Sequence, residues 1–131
     1  MNFQEGIRQF SALGEEFATV VLRLTREWEP AQPPTTLMMA EFADVISGAA
    51  RSGGTERVRD ALALVEVLLK SGCAELKDAA ATGLLEKLLA DASSGKLDFT
   101  LIAPFLGELS KFYCREWDRF TGMKTDGLWA G

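Results

Sequence analysis

Residues 58–72 read VRDALALVEVLLKSG, and this stretch decides the fold. Its apolar residues recur three and four positions apart, as they do on one face of an amphipathic helix. Leu64 and Val67 widen the apolar surface well beyond that face. A helix that is apolar over so much of its circumference is normally central, with neighbours on more than one side. We therefore predict a central helix that begins at Thr55 and ends at Gly72.

The next segment along the chain has a similar composition. Residues 81–98 read ATGLLEKLLADASSGKLD, and their leucines continue a helical spacing that starts near residue 74. We predict a helix over about residues 74–92, ended by the turn residues Ser93, Ser94 and Gly95. These two helices form the predicted heart of the fold.

The N-terminal part of the chain contains a third amphipathic pattern. Apolar residues follow one another at spacings of three, four and seven: Phe3, Ile7, Phe10, Phe17, Val21, Leu24 and Trp28. We predict a single helix over residues 2–28. We interpret Gly14, which lies within this stripe, as a site of close helix contact rather than a bend. Residues 29–34 contain three prolines and are predicted to form an extended connector.

We predict that residues 35–121 form the helical core and that residues 122–131 form a short C-terminal tail. The last long helix is predicted over about residues 104–120, with one apolar face. That face consists of Leu106, Leu109, Phe112, Tyr113, Trp117 and Phe120. No run of strand length shows the alternation of a β-strand. We predict an all-α fold, a single compact bundle of about five helices with antiparallel neighbours and short connections.

The amino-acid composition argues against several classes of function. The chain has 131 residues, 47% of them hydrophobic and 25% charged, which suits one globular domain. Its 19 acidic residues exceed its 14 basic ones, and a net charge of -5 argues against direct binding of nucleic acid. There is no histidine, so the commonest general base and zinc ligand is missing. No apolar run is long enough for a membrane span or a secretion signal, so we expect a cytoplasmic protein that does not bind membranes.

Other chemistry has weaker support in the sequence. No phosphate-binding glycine loop is present, and no cofactor is expected. Glu66, Glu86 and Glu116 would suit an oxygen-only site for magnesium or calcium. The first two lie at the margins of apolar arcs, where glutamates normally reach solvent or pair with lysine or arginine. A nucleophilic Cys73 or Cys114 would require a lowered thiol pKa without a neighbouring histidine. We therefore predict no enzymatic activity and no metal.

Glu116 lies on the aromatic face of the last predicted helix. A carboxylate among aromatic side chains requires a polar partner if it is buried. We favour an ion pair with an arginine at the edge of the core, or a hydrogen bond to Tyr113, over a role in binding a partner protein.

A resemblance to a known group of proteins covers residues 57–127. Its clearest elements are Gly-Leu-Leu-Glu at residues 83–86 and Pro-x-Leu-Gly at residues 104–107, within longer helical strings. This part of the chain resembles small all-helical immunity proteins of bacterial polymorphic toxin systems. The resemblance implies a cytoplasmic inhibitor that binds a cognate toxin domain and neutralises it by stoichiometric protein–protein occlusion.

The composition is compatible with such an inhibitor, because an acidic protein suits a basic, nuclease-like toxin domain, and opposite charge speeds their encounter. We expect the contact surface to combine exposed acids with an aromatic anchor, on the helix margins and in the C-terminal region. The candidate partner-binding residues are Glu86, Asp91, Glu108, Asp118, Asp126 and Trp129.

An alternative function is a helical adaptor or homo-oligomerising scaffold without a toxin partner. Its first helix would pair with another chain through the stripe between Phe3 and Trp28. A homodimer of this kind should dissociate when Phe10 and Phe17 are replaced by charged residues. An inhibitor, by contrast, can be a monomer that binds one toxin molecule.

Overall fold

The computed structural model describes residues 1–129, and every regular element in this part of the chain is helical. The α-helices are α1 (Phe3–Leu13), α2 (Glu15–Trp28), α3 (Thr35–Arg51), α4 (Thr55–Ser71), α5 (Ala74–Asp78), α6 (Glu86–Ser93) and α7 (Glu108–Thr121). A π-helical segment (Ala79–Leu85) joins α5 to α6, and two 3-10 turns (Phe99–Leu101 and Ala103–Phe105) precede α7. The predicted all-α, compact fold is therefore confirmed. None of these helices is both long and apolar enough to cross a membrane.

The described residues form seven α-helices where about five were predicted, because two of the predicted helices are interrupted. The helix predicted over residues 2–28 divides at Gly14 into α1 and α2. The backbone of Gly14 is extended, and a Cβ atom built there would meet no atom within 4 Å. The interpretation of Gly14 as a close helix contact was therefore wrong, and the residue marks a break between two helices.

The three elements around this break meet in an aromatic cluster. The ring centroids of Phe10 and Phe42 are 4.4 Å apart, those of Phe17 and Phe42 5.7 Å, and those of Phe10 and Phe17 5.8 Å. These distances are typical of favourable aromatic pairs. All three side chains are completely buried. Phe10 and Phe17, from the N-terminal helices, therefore belong to the core of their own chain.

Helix α4 is central, as predicted. It packs against α1, α3, α5 and α7. Its buried apolar residues are Val58, Ala61, Leu62, Leu64, Val65 and Leu68. Neighbours on several sides explain why so much of its circumference is apolar, although Val67 remains exposed.

The helix predicted over residues 74–92 forms one continuous helical segment that ends at Ser93, but its middle is π-helical. Gly83 lies in the π-helical segment, where α3 passes close by. A Cβ atom at Gly83 would lie 2.7 Å from the Thr36 carbonyl oxygen and 3.0 Å from Cβ of Met39. Any side chain at this position would push α3 away, so the Gly-Leu-Leu-Glu element has a packing role.

The last helix begins later than predicted. Pro104 belongs to a 3-10 turn, and the backbone is extended at Leu106 and Gly107. Helix α7 therefore begins at Glu108, with Gly107 at its N-cap position.

Candidate interaction surface on the last helix

Helix α7 buries three small or polar side chains and leaves two phenylalanines exposed to solvent. Its buried residues are Ser110, Cys114 and Asp118. Phe112 and Phe120, by contrast, are 63% and 90% exposed, and Leu109 is 42% exposed. Residues three or four positions apart share one face of a helix, so these three lie on the same outer face as Glu116. We call Leu109, Phe112, Glu116 and Phe120 the α7 surface.

The six residues predicted to share one apolar face divide between two environments. Leu106 is buried, whereas Tyr113 and Trp117 are half-buried. The remaining three residues belong to the α7 surface and are exposed. Exposed apolar groups that form a contiguous patch commonly mark a site of protein interaction.

The carboxylate of Glu66, on α4, caps the N-terminus of α7. It accepts hydrogen bonds from the amide nitrogens of Leu109 and Ser110, at 2.9 and 3.0 Å, and from Ser110 Oγ at 2.9 Å. The first N–H groups of a helix have no partner within the helix, and Gly107 has no side chain to offer them. A Cβ atom at Gly107 would lie 2.3 Å from Cδ of Glu66, so the glycine makes room for this cap.

This role of Glu66 was not predicted from the sequence. The available signal was Gly107, which precedes a long helix and has no side chain with which to cap it. Burial alone raises the pKa of the Glu66 carboxyl, but the three hydrogen bonds and the charge of Lys70 outweigh it and the pKa is lowered. A carboxylate at a helix N-terminus also interacts favourably with the helix dipole. Glu66 therefore holds the start of α7 on α4.

Near the end of α7, the buried carboxylate of Asp118 binds the C-terminal tail. Its carboxylate accepts hydrogen bonds from the Thr125 amide at 2.7 Å, from Thr125 Oγ1 at 2.7 Å and from Trp129 Nε1 at 2.8 Å. The guanidinium groups of Arg115 and Arg119 lie 5.6 and 5.1 Å from the centre of the Trp129 ring. These contacts fold the tail, as far as Trp129, back onto α7. The last two residues of the predicted tail, 130 and 131, lie outside the described part of the chain.

Two of the predicted partner-binding residues are corrected by the structure. Asp91 is 6% exposed and accepts hydrogen bonds from Lys87 Nζ at 2.6 Å and Ser47 Oγ at 3.4 Å. Asp118 is 1% exposed and holds the tail. Carboxylates that are buried and bonded internally are not available to a partner protein.

The other four candidates remain predictions. Glu86 is half-buried and accepts a hydrogen bond from the Tyr113 hydroxyl. Glu108 and Asp126 are exposed, and Trp129 is half-buried. The last three all belong to α7 or to the tail that covers part of it. Three of the four remaining candidates therefore lie on α7 or in the segment that follows it.

The three glutamates of the conceivable metal site are engaged separately. Glu66 caps α7, Glu86 bonds Tyr113, and Glu116 pairs with Arg119 on the exposed side of α7. Within residues 1–129, no group of three acids or cysteines could hold a metal ion. Glu116 thus pairs with an arginine, as favoured, but this pair lies in solvent rather than at the edge of the core.

Both cysteines are free. Cys114 is buried on the inner face of α7, where burial and the nearby charge of Asp118 raise its pKa to about 12. A nucleophilic thiol needs the opposite shift. Cys73 is exposed.

A family model matches most of the chain. It covers residues 7–122, which include α2 to α7 and most of α1 and stop before the tail folds back. No curated protein and no solved structure matches the chain. The chain belongs to the family described as Domain of unknown function (DUF7674).

Proposed function

We propose that the protein is an immunity protein that binds a cognate bacterial toxin domain in the cytoplasm and neutralises it by stoichiometric occlusion. The observation that carries this proposal is the exposed α7 surface, where Phe112 and Phe120 extend into solvent. Large aromatic side chains at the centre of an interface contribute much of the binding energy when a partner buries them. The resemblance to immunity proteins, over residues 57–127, includes this helix.

Charge defines the expected character of the interface. Residues 108–129 contain four acidic and four basic residues, namely Glu108, Glu116, Asp118, Asp126, Lys111, Arg115, Arg119 and Lys124. The acidic excess of the chain therefore lies in other segments, where it would steer a basic, nuclease-like toxin domain toward the protein. The complex itself would be held by aromatic burial, with Glu108, Asp126 and Trp129 at its rim. The proposal requires no cofactor, membrane or direct nucleic-acid contact, and no enzymatic activity.

Co-expression with a toxin domain encoded next to the gene for this chain tests the proposal. We expect bacteria to survive and the two proteins to co-purify in a one-to-one complex. A Phe112→Ser, Phe120→Ser double variant should lose both rescue and co-purification while its circular dichroism stays unchanged. The matched control is Leu22→Ser, which removes an exposed apolar side chain from α2. Absence of both rescue and complex with the unaltered chain would refute the proposal.

The alternative function, a helical adaptor or homo-oligomerising scaffold without a toxin partner, needs a different surface from the one predicted. Phe10 and Phe17 are completely buried within their own chain, so these two residues are not free to pair with another, whereas Trp28 of the same stripe is exposed. Charging these two residues would unfold the protein rather than separate two chains. A test of self-association must therefore use exposed residues.

A further inference from the structure

The α7 surface has the same pattern in both directions along the chain. Phe112 precedes Glu116 by four residues and Phe120 follows it by four, and both rings are exposed. A surface of this kind can face a copy of itself, because a two-fold interface places the same patch on both subunits.

We propose that a second copy of this chain covers the α7 surface in the free protein. The two α7 helices would run antiparallel, with the two-fold axis at Glu116. Phe112 of one copy would then lie opposite Phe120 of the other, and the reverse, so that all four rings leave water. The inference rests on the proposed function in one respect: the dimer would mask the surface assigned to the toxin and would dissociate when a toxin binds.

The charges of α7 agree with this arrangement. Glu116 and Arg119 already form an exposed ion pair within one chain. They lie about 4.5 Å apart along the helix axis, so in an antiparallel pair each Glu116 would come within reach of the Arg119 of the other copy. The two glutamates at the axis would then be flanked by the two arginines.

The expected association is weak. One helix of 14 residues is about 21 Å long, and a contact of that length buries less surface than a permanent dimer does. We expect a weak, transient dimer. A dimer of this strength would leave the α7 surface accessible to a partner that binds more tightly.

Sedimentation equilibrium of the purified chain, from about 1 to 300 µM, tests the inference. We expect a monomer–dimer equilibrium that Phe120→Glu weakens at least about tenfold, because it places a charge opposite an aromatic ring. Phe120 is almost fully exposed, so this variant should fold normally. Leu22→Glu, on α2, is the matched control and should dimerise like the unaltered chain. A monomer at every concentration, or a dimer that Phe120→Glu leaves intact, would overturn the inference.

Charge exchange tests the position of the two-fold axis. Glu116→Arg and Arg119→Glu should each weaken the dimer, since each places four like charges around the axis. An equimolar mixture of the two variants should associate again, and so should the chain that carries both substitutions. The double variant also lacks Arg119 beside Trp129, so its recovery would show that the tail contact is not responsible. Failure of both the mixture and the double variant to recover would exclude this axis.

These measurements contain no toxin, so each of the two proposals can be refuted without the other. A monomeric chain that still rescues bacteria would overturn the dimer and leave the proposed function intact. A dimer that neither rescues bacteria nor co-purifies with the toxin would overturn the proposed function and leave the dimer intact.

Discussion

Two amphipathic segments of this chain look alike in sequence and end in opposite environments. In α1 and α2, Phe10 and Phe17 follow helical spacing and are completely buried against α3. In α7, Phe112 and Phe120 follow the same kind of spacing and extend into solvent. Helical periodicity shows which residues share a face. It does not show whether another part of the chain covers that face.

The buried carboxylates explain why Ser110 and Asp118, rather than Phe112 and Phe120, face the core. Glu66 holds the start of the helix through Ser110, and Asp118 holds the tail at its end. Both contacts lie on the inner side of α7. Rotating the helix to bury Phe112 and Phe120 would break these hydrogen bonds and leave charged groups without partners, which costs several kcal/mol per group. Directional polar contacts therefore decide the orientation of this helix.

The largest effect is expected in the aromatic cluster. Phe10→Ala should lower the free energy of unfolding by about 3–5 kcal/mol, because it leaves a cavity between Phe17 and Phe42. Urea unfolding followed by circular dichroism measures the change. A loss below about 1 kcal/mol would show that the N-terminal helices are not held by this cluster.

The next effect tests the cap that orients α7. Glu66→Ala should lower the free energy of unfolding by about 2–3 kcal/mol, because buried donors at Leu109 and Ser110 lose their acceptor. Adding Gly107→Ser to this variant should restore about 1 kcal/mol, since the serine can cap the helix from the vacated space. The same Gly107→Ser change in the unaltered chain should be destabilising, because Glu66 occupies that space. Equal effects in both backgrounds would contradict the proposed coupling.

A smaller loss is expected at the other end of α7. Asp118→Asn should lower the free energy of unfolding by about 1–2 kcal/mol. The NH2 group of the asparagine cannot accept a hydrogen bond, so at least one of the three donors in Thr125 and Trp129 loses its acceptor. Hydrogen exchange at the Thr125 amide should become faster, while exchange within α4 changes little. Unchanged exchange at Thr125 would mean that Asp118 does not hold the tail.

Acid should remove part of the stability due to Glu66. Its pKa in the folded protein is lowered from 4.5, so its contribution is complete above that value and is lost as the pH falls through the folded pKa. The stability difference between the unaltered chain and Glu66→Gln should therefore shrink between about pH 7 and about pH 3. A difference that does not depend on pH would contradict the lowered pKa.

The smallest effect is expected on the α7 surface. Phe120→Ser should change the free energy of unfolding by less than about 0.5 kcal/mol, because the ring makes little contact within its own chain. Phe10→Ser, in the same assay, should unfold the protein or come close to it. Similar losses for both variants would remove the distinction between the two aromatic regions.

Several features could be predicted from sequence because they depend on local spacing. The central position of α4 follows from an apolar circumference that leaves few residues for solvent. The helix from Ala74 to Ser93 follows from its leucines, although the π-helical turn within it does not. The break at Gly14 was wrongly interpreted, since spacing alone is compatible with both a bend and a close contact. Asp91 was misplaced because the residue that pairs with it, Lys87, resembles any exposed lysine in sequence.

The sequence by itself determined that the chain is helical, which helix is central, and which side chains share a face. Each of these depends on residues a few positions apart, whose spacing is set by the geometry of the helix. Only the tertiary structure decided which face of α7 is covered. That choice depends on contacts such as Glu66 with Ser110, which are 44 residues apart in the chain and leave no periodic signal. The same contacts leave Phe112 and Phe120 exposed, and so they create the surface on which both proposals rest.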